Sequence, residues 1–440
     1  MKIPPFFLPA LFSLTALTFA ETPNDRERAV RADRETMENS DRWIYNDIAH
    51  GFEAAAKNGK PVLVVLRCVP CTACRGIDAS ILSSQEMQPL LDQFNCVRVI
   101  NANALDLSKF QFDYDLSFST LFFNADGTLY GRYGSWQHQR DSYDATTAGY
   151  KAALNEALAV HRSYPANKAA LEPKQGGPAP FKIPVEIPAL AGKYERELNW
   201  NGKVVQSCVH CHQIGDAFRA WYHDQGKPIP MDLIYPMPAP ETIGLTLDSQ
   251  LAATVKAVAA DSAAAKANLR PGDEIVAFNG SPLLSIADFA WALHRMPDSG
   301  EATLLVRRAG TIAEIKVPLA SGWRTLSDIS TRAGTWQMRG MALGGLKLES
   351  ASENKREALG LTAHTMALEV VFAGIYGIHG TAKRAGFRQG DVLVEVDGFT
   401  ADVTESQLIG RILTQYRPGT SLKTIIRRGV ERVELMLPLQ

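Results

Sequence analysis

The pattern of apolar positions divides the chain into regions with different periodicities. A continuous, largely β-branched run at residues 62–66 predicts a buried central strand. Residues 41–57 carry apolar side chains at helical spacing, and residues 146–160 are predicted to form a second helix. Towards the C-terminus, apolar strands flank Asn-Gly and Asp-Gly turns, which are strong hairpin signals. This pattern predicts several small domains of α/β and α+β character.

The N-terminus has the features of an export signal. Lys2 precedes an apolar stretch that ends at Ala20 and is too short to span a bilayer comfortably. Such a stretch is typical of a cleaved secretory signal. Since no later run is apolar for long enough to be transmembrane, we expect residues 1–20 to be removed and the mature protein to be periplasmic or secreted.

Charge and cysteine content narrow the function classes. The formal net charge is −1, which gives no reason to expect nucleic acid as a partner. Six cysteines are too few for a scaffold built on disulfides. They fall into two clusters plus Cys96, which we expect to be buried and unpaired. This grouping indicates chemistry rather than cross-linking.

The first cysteine cluster follows the predicted central strand and is Cys68-Val-Pro-Cys71-Thr-Ala-Cys74. A cysteine at the start of a helix has its thiolate stabilised by unpaired N–H groups and the helix dipole. A strand followed by Cys-x-x-Cys at a helix N-terminus resembles the thioredoxin fold, here over residues 21–164. The resemblance implies that Cys71 is the nucleophile and Cys74 the resolving thiol.

The chain departs from the thioredoxin pattern near these cysteines. Ser119 stands where thioredoxins carry a cis-proline, and Thr-Ala replaces the usual Gly-Pro between the two cysteines. Cys68 is additional and can pair with Cys71 or join a thiol relay. A redox-inactive domain with a structural disulfide is therefore the alternative to an active dithiol.

The second cluster is Ser207-Cys208-Val209-His210-Cys211-His212. It contains Cys-x-x-Cys-His, the spacing by which a c-type haem is attached. Two thiols can reach the porphyrin vinyl groups, and His212 can then ligate the iron. We predict haem c as a cofactor, bound by Cys208, Cys211 and His212. The alternatives are a local disulfide or a zinc half-site that includes neighbouring histidines.

The surroundings of this motif suggest a small haem segment at residues 195–240, after a Pro-rich linker at 165–194. An electron-transfer haem needs a second axial ligand. Met237 lies in a loop stiffened by two prolines and is the first candidate for this metal ligand. His223 and Met231 are the others, and an open position is the remaining alternative.

The last two hundred residues contain an internal repeat, in which Leu269–Gly280 matches Phe387–Gly398. Each copy continues with an amphipathic helix. The repeat resembles PDZ domains in their bacterial arrangement, at residues 241–322 and 323–440. The resemblance implies that extended peptides or protein C-termini are partners. The alternative is that the copies only pack against other domains.

The resemblance also implies which residues bind peptide. PDZ domains hold the terminal carboxylate with backbone N–H groups of an apolar-Gly-apolar loop. In the first copy this loop is Ile243, Gly244 and Leu245. In the second copy it is Gly344, Gly345 and Leu346.

These parts predict a multidomain α+β and α/β protein: a thioredoxin-like domain, a small helical c-type haem segment and two PDZ-like β-rich domains. The architecture resembles bacterial exported thioredoxin-like/PDZ-domain proteins. The predicted function is a redox protein that couples the dithiol and the haem to peptide binding. The alternative is a non-enzymatic PDZ adaptor or haem-based sensor. We expect no protease, because Asp298-Ser299-Gly300 lacks the glycine context of a trypsin-like nucleophile.

Overall fold

The computed structural model describes residues 22–69, 82–134 and 147–440. Within these ranges the strands form three larger sheets and one two-stranded ribbon. None of the helices in these ranges is long and apolar enough to cross a membrane. The signal sequence expected at residues 1–20 lies outside the described residues. For reference we divide the chain into an N-terminal unit (to residue 164), a connecting segment (165–240), a first repeat (241–322) and a second repeat (323–440).

The N-terminal unit is built on a five-stranded sheet. Its elements are α1 (Pro23–Met37), β1 (Trp43–Tyr45), α2 (Ile48–Asn58), β2 (Val62–Arg67), α3 (Gln88–Leu91), β3 (Asn95–Val99), β4 (Phe118–Phe123), β5 (Leu129–Tyr133) and α4 (Thr147–Arg162). The strand order is β1-β3-β2-β4-β5, with β2 parallel to β3 and antiparallel to β4. All six residues of β2 are buried, which is why this strand is apolar without alternation. The prediction of a buried central strand is confirmed.

Cys96 lies on β3, directly opposite Leu63 of β2. Its side chain is buried and it is a free cysteine. Burial raises the pKa of the Cys96 thiol to about 12, so the thiol stays protonated and unreactive. The expectation that Cys96 is buried and unpaired is confirmed.

The connecting segment is more ordered than its prolines suggest. Its helices are α5 (Lys168–Leu171), α6 (Cys211–Asp224) and α7 (Met231–Ile234). The sequence predicts an extended tether at 165–194, but Ile187 and Leu190 are buried there and pack with Ile214 and Phe218 of α6. The prolines prevent long helices, while the apolar residues between them bury their side chains against α6.

The first repeat contains β6 (Leu245–Leu247), β7 (Val255–Val258), α8 (Ala263–Lys266), β8 (Glu274–Phe278), β9 (Ser281–Pro282), α9 (Ile286–His294), β10 (Gly300–Arg308) and β11 (Thr311–Leu319). Strands β6 and β7 form the ribbon, and the other four form a sheet in the order β11-β10-β8-β9. Asn279 and Gly280 form the turn between β8 and β9 with positive φ angles, as a tight hairpin requires. Ile286, Phe289 and Leu293 of α9 lie in the core, as the helical spacing predicts.

The second repeat contains α10 (Thr335–Leu343), β12 (Leu346–Ser350), α11 (Glu353–Ala358), β13 (Leu368–Ala373), α12 (Thr381–Arg384), β14 (Val392–Val396), α13 (Glu405–Gln415), β15 (Ser421–Arg428) and β16 (Glu431–Pro438). Its sheet has the order β12-β13-β14-β15-β16. The two repeats share a specific ion pair. Arg308 Nε lies 2.6 Å from Asp273 Oδ1, and Arg428 Nε lies 2.8 Å from Asp391 Oδ1. The sequence repeat is therefore a structural repeat.

Asp288 of α9 joins the first repeat to the N-terminal unit and the connecting segment. Its carboxylate accepts hydrogen bonds from Lys174 Nζ at 2.7 Å and from the Arg132 backbone N–H at 3.0 Å. Gly131 permits this approach, since a Cβ there would lie 2.3 Å from Asp288 Oδ2. Burial lowers the pKa of Lys174, although Asp288 opposes the shift. The interface thus depends on a buried, fully paired charge.

The second repeat is also docked on the rest of the chain. Tyr235, which follows α7, donates its hydroxyl to the Ser406 carbonyl at 2.7 Å. Arg332 pairs with Asp115 of the N-terminal unit at 2.9 Å and also with Asp113. These buried contacts fix the second repeat against the connecting segment and the N-terminal unit.

Candidate functional site

The two thiols of the Cys-x-x-Cys-His motif face the N-terminal unit. Cys208 follows a short 3₁₀ turn and Cys211 begins α6. Both line a cavity of about 20 Å³ together with Leu66 and Ile100, which is room for about one water molecule. Burial raises the pKa of Cys208 to about 11, and burial together with nearby thiols raises the pKa of Cys211. The thiols are therefore protonated, and both cysteines are half-buried.

His212 lies apart from that cavity. Its side chain is 45 % exposed, and its Nδ1 lies 3.4 Å from Asp216 Oδ2. His210 instead turns towards the N-terminal unit, with Nδ1 3.2 Å from Cys68 Sγ. A c-type haem requires both thiols on one edge of the ring and the histidine beneath it, and the space beside these thiols is far too small for a porphyrin.

The predicted second axial ligands are occupied elsewhere. Met237 packs against Ala290 and Trp291 of α9. His223 interacts with the backbone carbonyl of Gln440, and Met231 packs against the core of the second repeat. Among the described residues no group of three or more His, Cys, Asp or Glu side chains is arranged to hold a metal ion. The chain's residues fit neither the predicted haem site with His212 and Met237 nor its zinc alternative.

The predicted catalytic cysteines Cys71 and Cys74 lie outside the described residues. Their roles therefore stay a prediction. Cys68, which begins the cluster, follows β2 and donates its backbone N–H to the Ser117 carbonyl at 2.9 Å.

The first predicted peptide loop, Ile243-Gly244-Leu245, enters β6 through a left-handed residue. Gly244 has a φ of +86°, and a Cβ there would lie 2.1 Å from Ser262 Cβ. The Gly244 carbonyl accepts a hydrogen bond from Ala259 N–H at 2.8 Å. Glycine is thus required both by the backbone conformation and by the close approach of residue 262.

An open groove of about 710 Å³ lies beside this loop. One wall is formed by Ile243, Gly244 and residues 259–266. The opposite wall is formed by the end of β11 and a 3₁₀ turn at Trp323–Leu326. Leu326 is 63 % exposed on this wall, and Lys266 is exposed at the end of α8. The groove therefore combines an apolar wall with one cation, Lys266, and two carboxylates, Glu241 and Asp261.

The side of α9 that faces Met237 is only partly covered, because Met237, Trp291 and His294 line a cavity of about 350 Å³. Met237, Pro240 and Ala290 enclose a cavity of only about 20 Å³ together with residues of the N-terminal unit. Trp291 donates its indole N–H to the Pro173 carbonyl at 2.9 Å. PDZ resemblance implies a peptide beside this helix, but the chain itself covers the part of the helix around Ala290.

The second predicted loop, Gly344-Gly345-Leu346, occupies the equivalent place in the second repeat. The Gly345 carbonyl accepts a hydrogen bond from Gly374 N–H at 3.1 Å, as Gly244 does from Ala259. The adjoining strand is blocked, however. Leu348 N–H of β12 donates to Glu405 Oε1 at 2.8 Å, and Arg339 Nε holds the same oxygen at 2.9 Å. The structure thus places both predicted loops alike but leaves an open groove only beside the first, among the described residues.

Sequence reasoning did not identify Lys266, Trp323 or Leu326 as groove residues. Lys266 precedes the first repeated motif, and Trp323 and Leu326 lie between the two motifs. The approach of all three to Gly244 depends on tertiary packing, which no local sequence signal indicates.

Two curated relatives share part of this chain. Both are named "Probable periplasmic serine endoprotease DegP-like". The protein of Pseudomonas savastanoi pv. phaseolicola is 26 % identical over 151 residues, which is 34 % of this chain and 30 % of that protein. The protein of Ectopseudomonas mendocina is 26 % identical over 228 residues, or 51 % of this chain and 41 % of that protein. The chain therefore spans less than half the length of these relatives.

A solved structure of the HtrA-type protease AlgW with decapeptide is also similar in part. It is 17 % identical and aligns with 32 % of this chain and 49 % of that chain, at a TM-score of 0.20. This likeness is too low to carry an argument.

The relatives and the motif geometry correct the functional predictions. The relatives are named as serine endoproteases, so the redox function and its adaptor-or-sensor alternative are overturned, as is the expectation that the chain is not a protease. The haem c cofactor is wrong, because no group of His, Cys, Asp or Glu side chains in the described ranges is arranged to hold a metal ion and both relatives are named as serine endoproteases. The predictions of electron transfer and of metal binding through His212 and Met237 depend on this haem and are wrong as well.

Two family models match separate parts of the chain. The thioredoxin-like model matches residues 43–125, which contain β1 to β4. The PDZ domain model matches residues 242–319, which contain the first predicted loop and the strands of the first repeat. The chain therefore contains a thioredoxin-like domain and a PDZ domain.

Proposed function

We propose that this chain is a periplasmic protein of the PDZ-containing serine-endoprotease type and that it binds extended peptides in the groove beside Gly244. The observation that carries this proposal is the groove of about 710 Å³ next to the PDZ loop. Ligand sites in proteins have volumes of this order. PDZ domains bind extended peptides and protein C-termini, so a peptide is the occupant that the domain favours.

The chemistry of the groove suits a peptide with an apolar end. Covering the exposed Leu326 side chain with an apolar residue contributes roughly 1–2 kcal/mol. Lys266 lies at the edge of the same groove and attracts a carboxylate. The terminal carboxylate and the last side chain of a peptide would use both features together.

The other peptide sites implied by the PDZ resemblance are obstructed. Met237 and Pro240 leave only about 20 Å³ beside Ala290 of α9, and Glu405 accepts the backbone N–H of Leu348 on β12. We include the second repeat in the proposal as a PDZ-like domain at 323–440 whose loop, Gly344-Gly345-Leu346, is closed to peptide in this arrangement.

The proposal is tested with fluorescently labelled peptides that end in an apolar residue, carrying either a free carboxylate or an amide. Anisotropy titrations with the full chain should show tighter binding of the carboxylate form. Leu326→Ser should weaken both peptides by roughly 5- to 30-fold, since an apolar contact of roughly 1–2 kcal/mol is lost. Lys266→Gln should weaken only the carboxylate peptide, by up to about fivefold, because the lysine is exposed.

Lys256→Gln is the matched control, because Lys256 is an exposed lysine of β7 in the same domain but does not line the groove. It should bind both peptides like the unmodified chain. Equal binding by the Leu326→Ser chain and the unmodified chain would refute the proposed site.

Proteolysis is a second candidate function, favoured by the names of both relatives. The described histidines whose rings lie within hydrogen-bond distance of another side chain contact Tyr130, Cys68 and Asp216 rather than a serine. The test is digestion of an unfolded protein by the purified full chain, with and without a serine-directed covalent inhibitor. Inhibitor-sensitive cleavage supports this function, and an intact substrate after long incubation contradicts it.

The periplasmic location is part of the proposal and is supported by the names of the relatives. Cell fractionation of the full chain in a Gram-negative host tests it. Recovery with a periplasmic marker supports the proposal, and recovery with a cytoplasmic marker contradicts it.

A further inference from the structure

The second repeat carries a patch of exposed large apolar side chains. We define the apolar patch by its members: Trp336, Phe372, Ile375, Tyr376 and Ile378. Their exposed fractions are 43 %, 47 %, 52 %, 79 % and 40 % respectively. Single exposed apolar residues are ordinary, but a cluster of five that includes three aromatic rings marks a contact surface.

Comparison of the two repeats shows that most of the patch is an addition. Gly374 corresponds to Ala259, because each donates its N–H to a carbonyl of the glycine loop. Ala382 corresponds to Ala264, because each carbonyl accepts from the large apolar residue five positions later. Four residues (260–263) separate the two points in the first repeat, whereas seven (375–381) separate them in the second. The longer loop carries Ile375, Tyr376 and Ile378.

The loop is held in a fixed shape by its neighbours. The rings of His379 and Trp336 are stacked with centroids 4.4 Å apart. Arg384 donates to the Gly377 carbonyl at 3.2 Å. A Cβ at Gly345 would lie 2.0 Å from the His379 carbonyl oxygen, so the loop packs closely against the glycine loop. The exposed side chains are thus presented by an ordered loop.

The charges along the chain stretch that carries the patch loop are of one sign. No acidic residue occurs between Glu369 and Asp391. Lys383 and Arg384 of α12 follow the loop directly and are exposed. Lys347, the cross-strand partner of Phe372, pairs with Glu349 at 3.1 Å and is neutralised locally. The patch is therefore an apolar surface with a cationic edge.

We propose that this patch docks on an anionic lipid surface. Aromatic and aliphatic side chains enter the headgroup boundary, and neighbouring basic residues contact anionic headgroups. Trp336 and Tyr376 are amphipathic aromatic residues, which favour that boundary. Charge complementarity favours lipid phosphate over a peptide groove, since the patch offers cations at one edge and no enclosed pocket. This inference is independent of peptide binding in the first repeat.

The test is co-sedimentation of the full chain with phosphatidylcholine vesicles that contain or lack phosphatidylglycerol. We expect binding to the anionic vesicles, together with a blue shift of emission that Trp336→Phe removes. Ile375→Ser/Tyr376→Ser should lower the vesicle partition coefficient by at least tenfold. Lys383→Gln should lower it by roughly fivefold and only on anionic vesicles.

Ile312→Ser/Val430→Ser is the matched control, because these side chains are 52 % and 81 % exposed outside the patch. It should bind vesicles like the unmodified chain. Absence of vesicle binding by the unmodified chain would overturn the proposal, as would full binding by the Ile375→Ser/Tyr376→Ser chain. Self-association by sedimentation velocity that this double variant abolishes would also overturn it, because the occupant would then be a second copy.

Discussion

Replacement of Gly244 by alanine tests whether the loop beside the groove needs glycine for two separate reasons. The left-handed backbone at φ +86° costs a residue with a Cβ about 1–2 kcal/mol. The new Cβ would also lie 2.1 Å from Ser262 Cβ, and such overpacking costs about 1–3 kcal/mol more. We therefore expect Gly244→Ala to lower the free energy of unfolding by about 2–5 kcal/mol.

Gly272 supplies the control for the backbone component. Its φ is +87°, but nothing lies within 4 Å of a Cβ placed there. Gly272→Ala should therefore lower the free energy of unfolding only by the backbone cost, about 1–2 kcal/mol. Ser262→Gly in the Gly244→Ala background removes the colliding atom. It should restore most of the free energy of unfolding that the collision costs, less a few tenths of a kcal/mol because the N-cap of α8 is weakened.

Urea unfolding of the four chains, followed by circular dichroism, gives these free energies, and peptide anisotropy reports on the groove. Gly244→Ala should also weaken peptide binding, because residues 244 and 262 both line the groove. Equal destabilisation by Gly244→Ala and Gly272→Ala would refute the collision argument. Unchanged peptide binding by a folded Gly244→Ala chain would refute the role of the loop.

Three further outcomes follow from buried charges. Asp288→Ala leaves Lys174 buried without its partner and should cost about 3–5 kcal/mol in urea unfolding. Glu405→Ala likewise leaves the buried Arg339 without its carboxylate partner and should lower the free energy of unfolding by a similar amount. It also frees the Leu348 N–H of β12, so new peptide binding at this strand is expected. Burial and nearby arginines lower the pKa of His294 to about 3 from its ordinary 6.5. The unfolded chain then binds a proton that the folded chain does not, so this imidazole should lower the free energy of unfolding by about 1.4 kcal/mol per pH unit from pH 6.5 towards 3. In urea unfolding at a series of pH values, the slope for His294→Gln should be smaller by that amount than the slope for the unmodified chain.

Much of the fold was predictable because local patterns agree with it. The uniform apolar run at 62–66 specified β2, since a strand covered on both faces needs no polar alternation. The Asn279-Gly280 turn specified the hairpin through its left-handed residues. The repeated Arg-x-Gly-Asp elements placed equivalent ion pairs in both repeats.

The cofactor was mispredicted because spacing in sequence does not determine which way side chains face. Cys208 and Cys211 turn towards Leu66 and Ile100, whereas His212 turns towards Asp216. The packing of α6 on the N-terminal unit sets these directions. The extended tether expected at 165–194 carries buried side chains for a related reason, because prolines in the sequence do not show that Ile187 packs into a core.

The groove could not be predicted from the sequence because its walls come from segments that are distant along the chain. Lys266 and Leu326 approach the loop at Gly244 only once α8 and the end of β11 have packed. No local pattern encodes that approach.

Hydrogen–deuterium exchange of the full chain, with and without a peptide ending in an apolar residue and a free carboxylate, tests the central claim most directly. The account predicts slower exchange on binding at residues 243–245, 259–266 and 323–326, with little change at α9 and β12. Protection confined to α9 or β12, or no protection at a saturating peptide concentration, would contradict it.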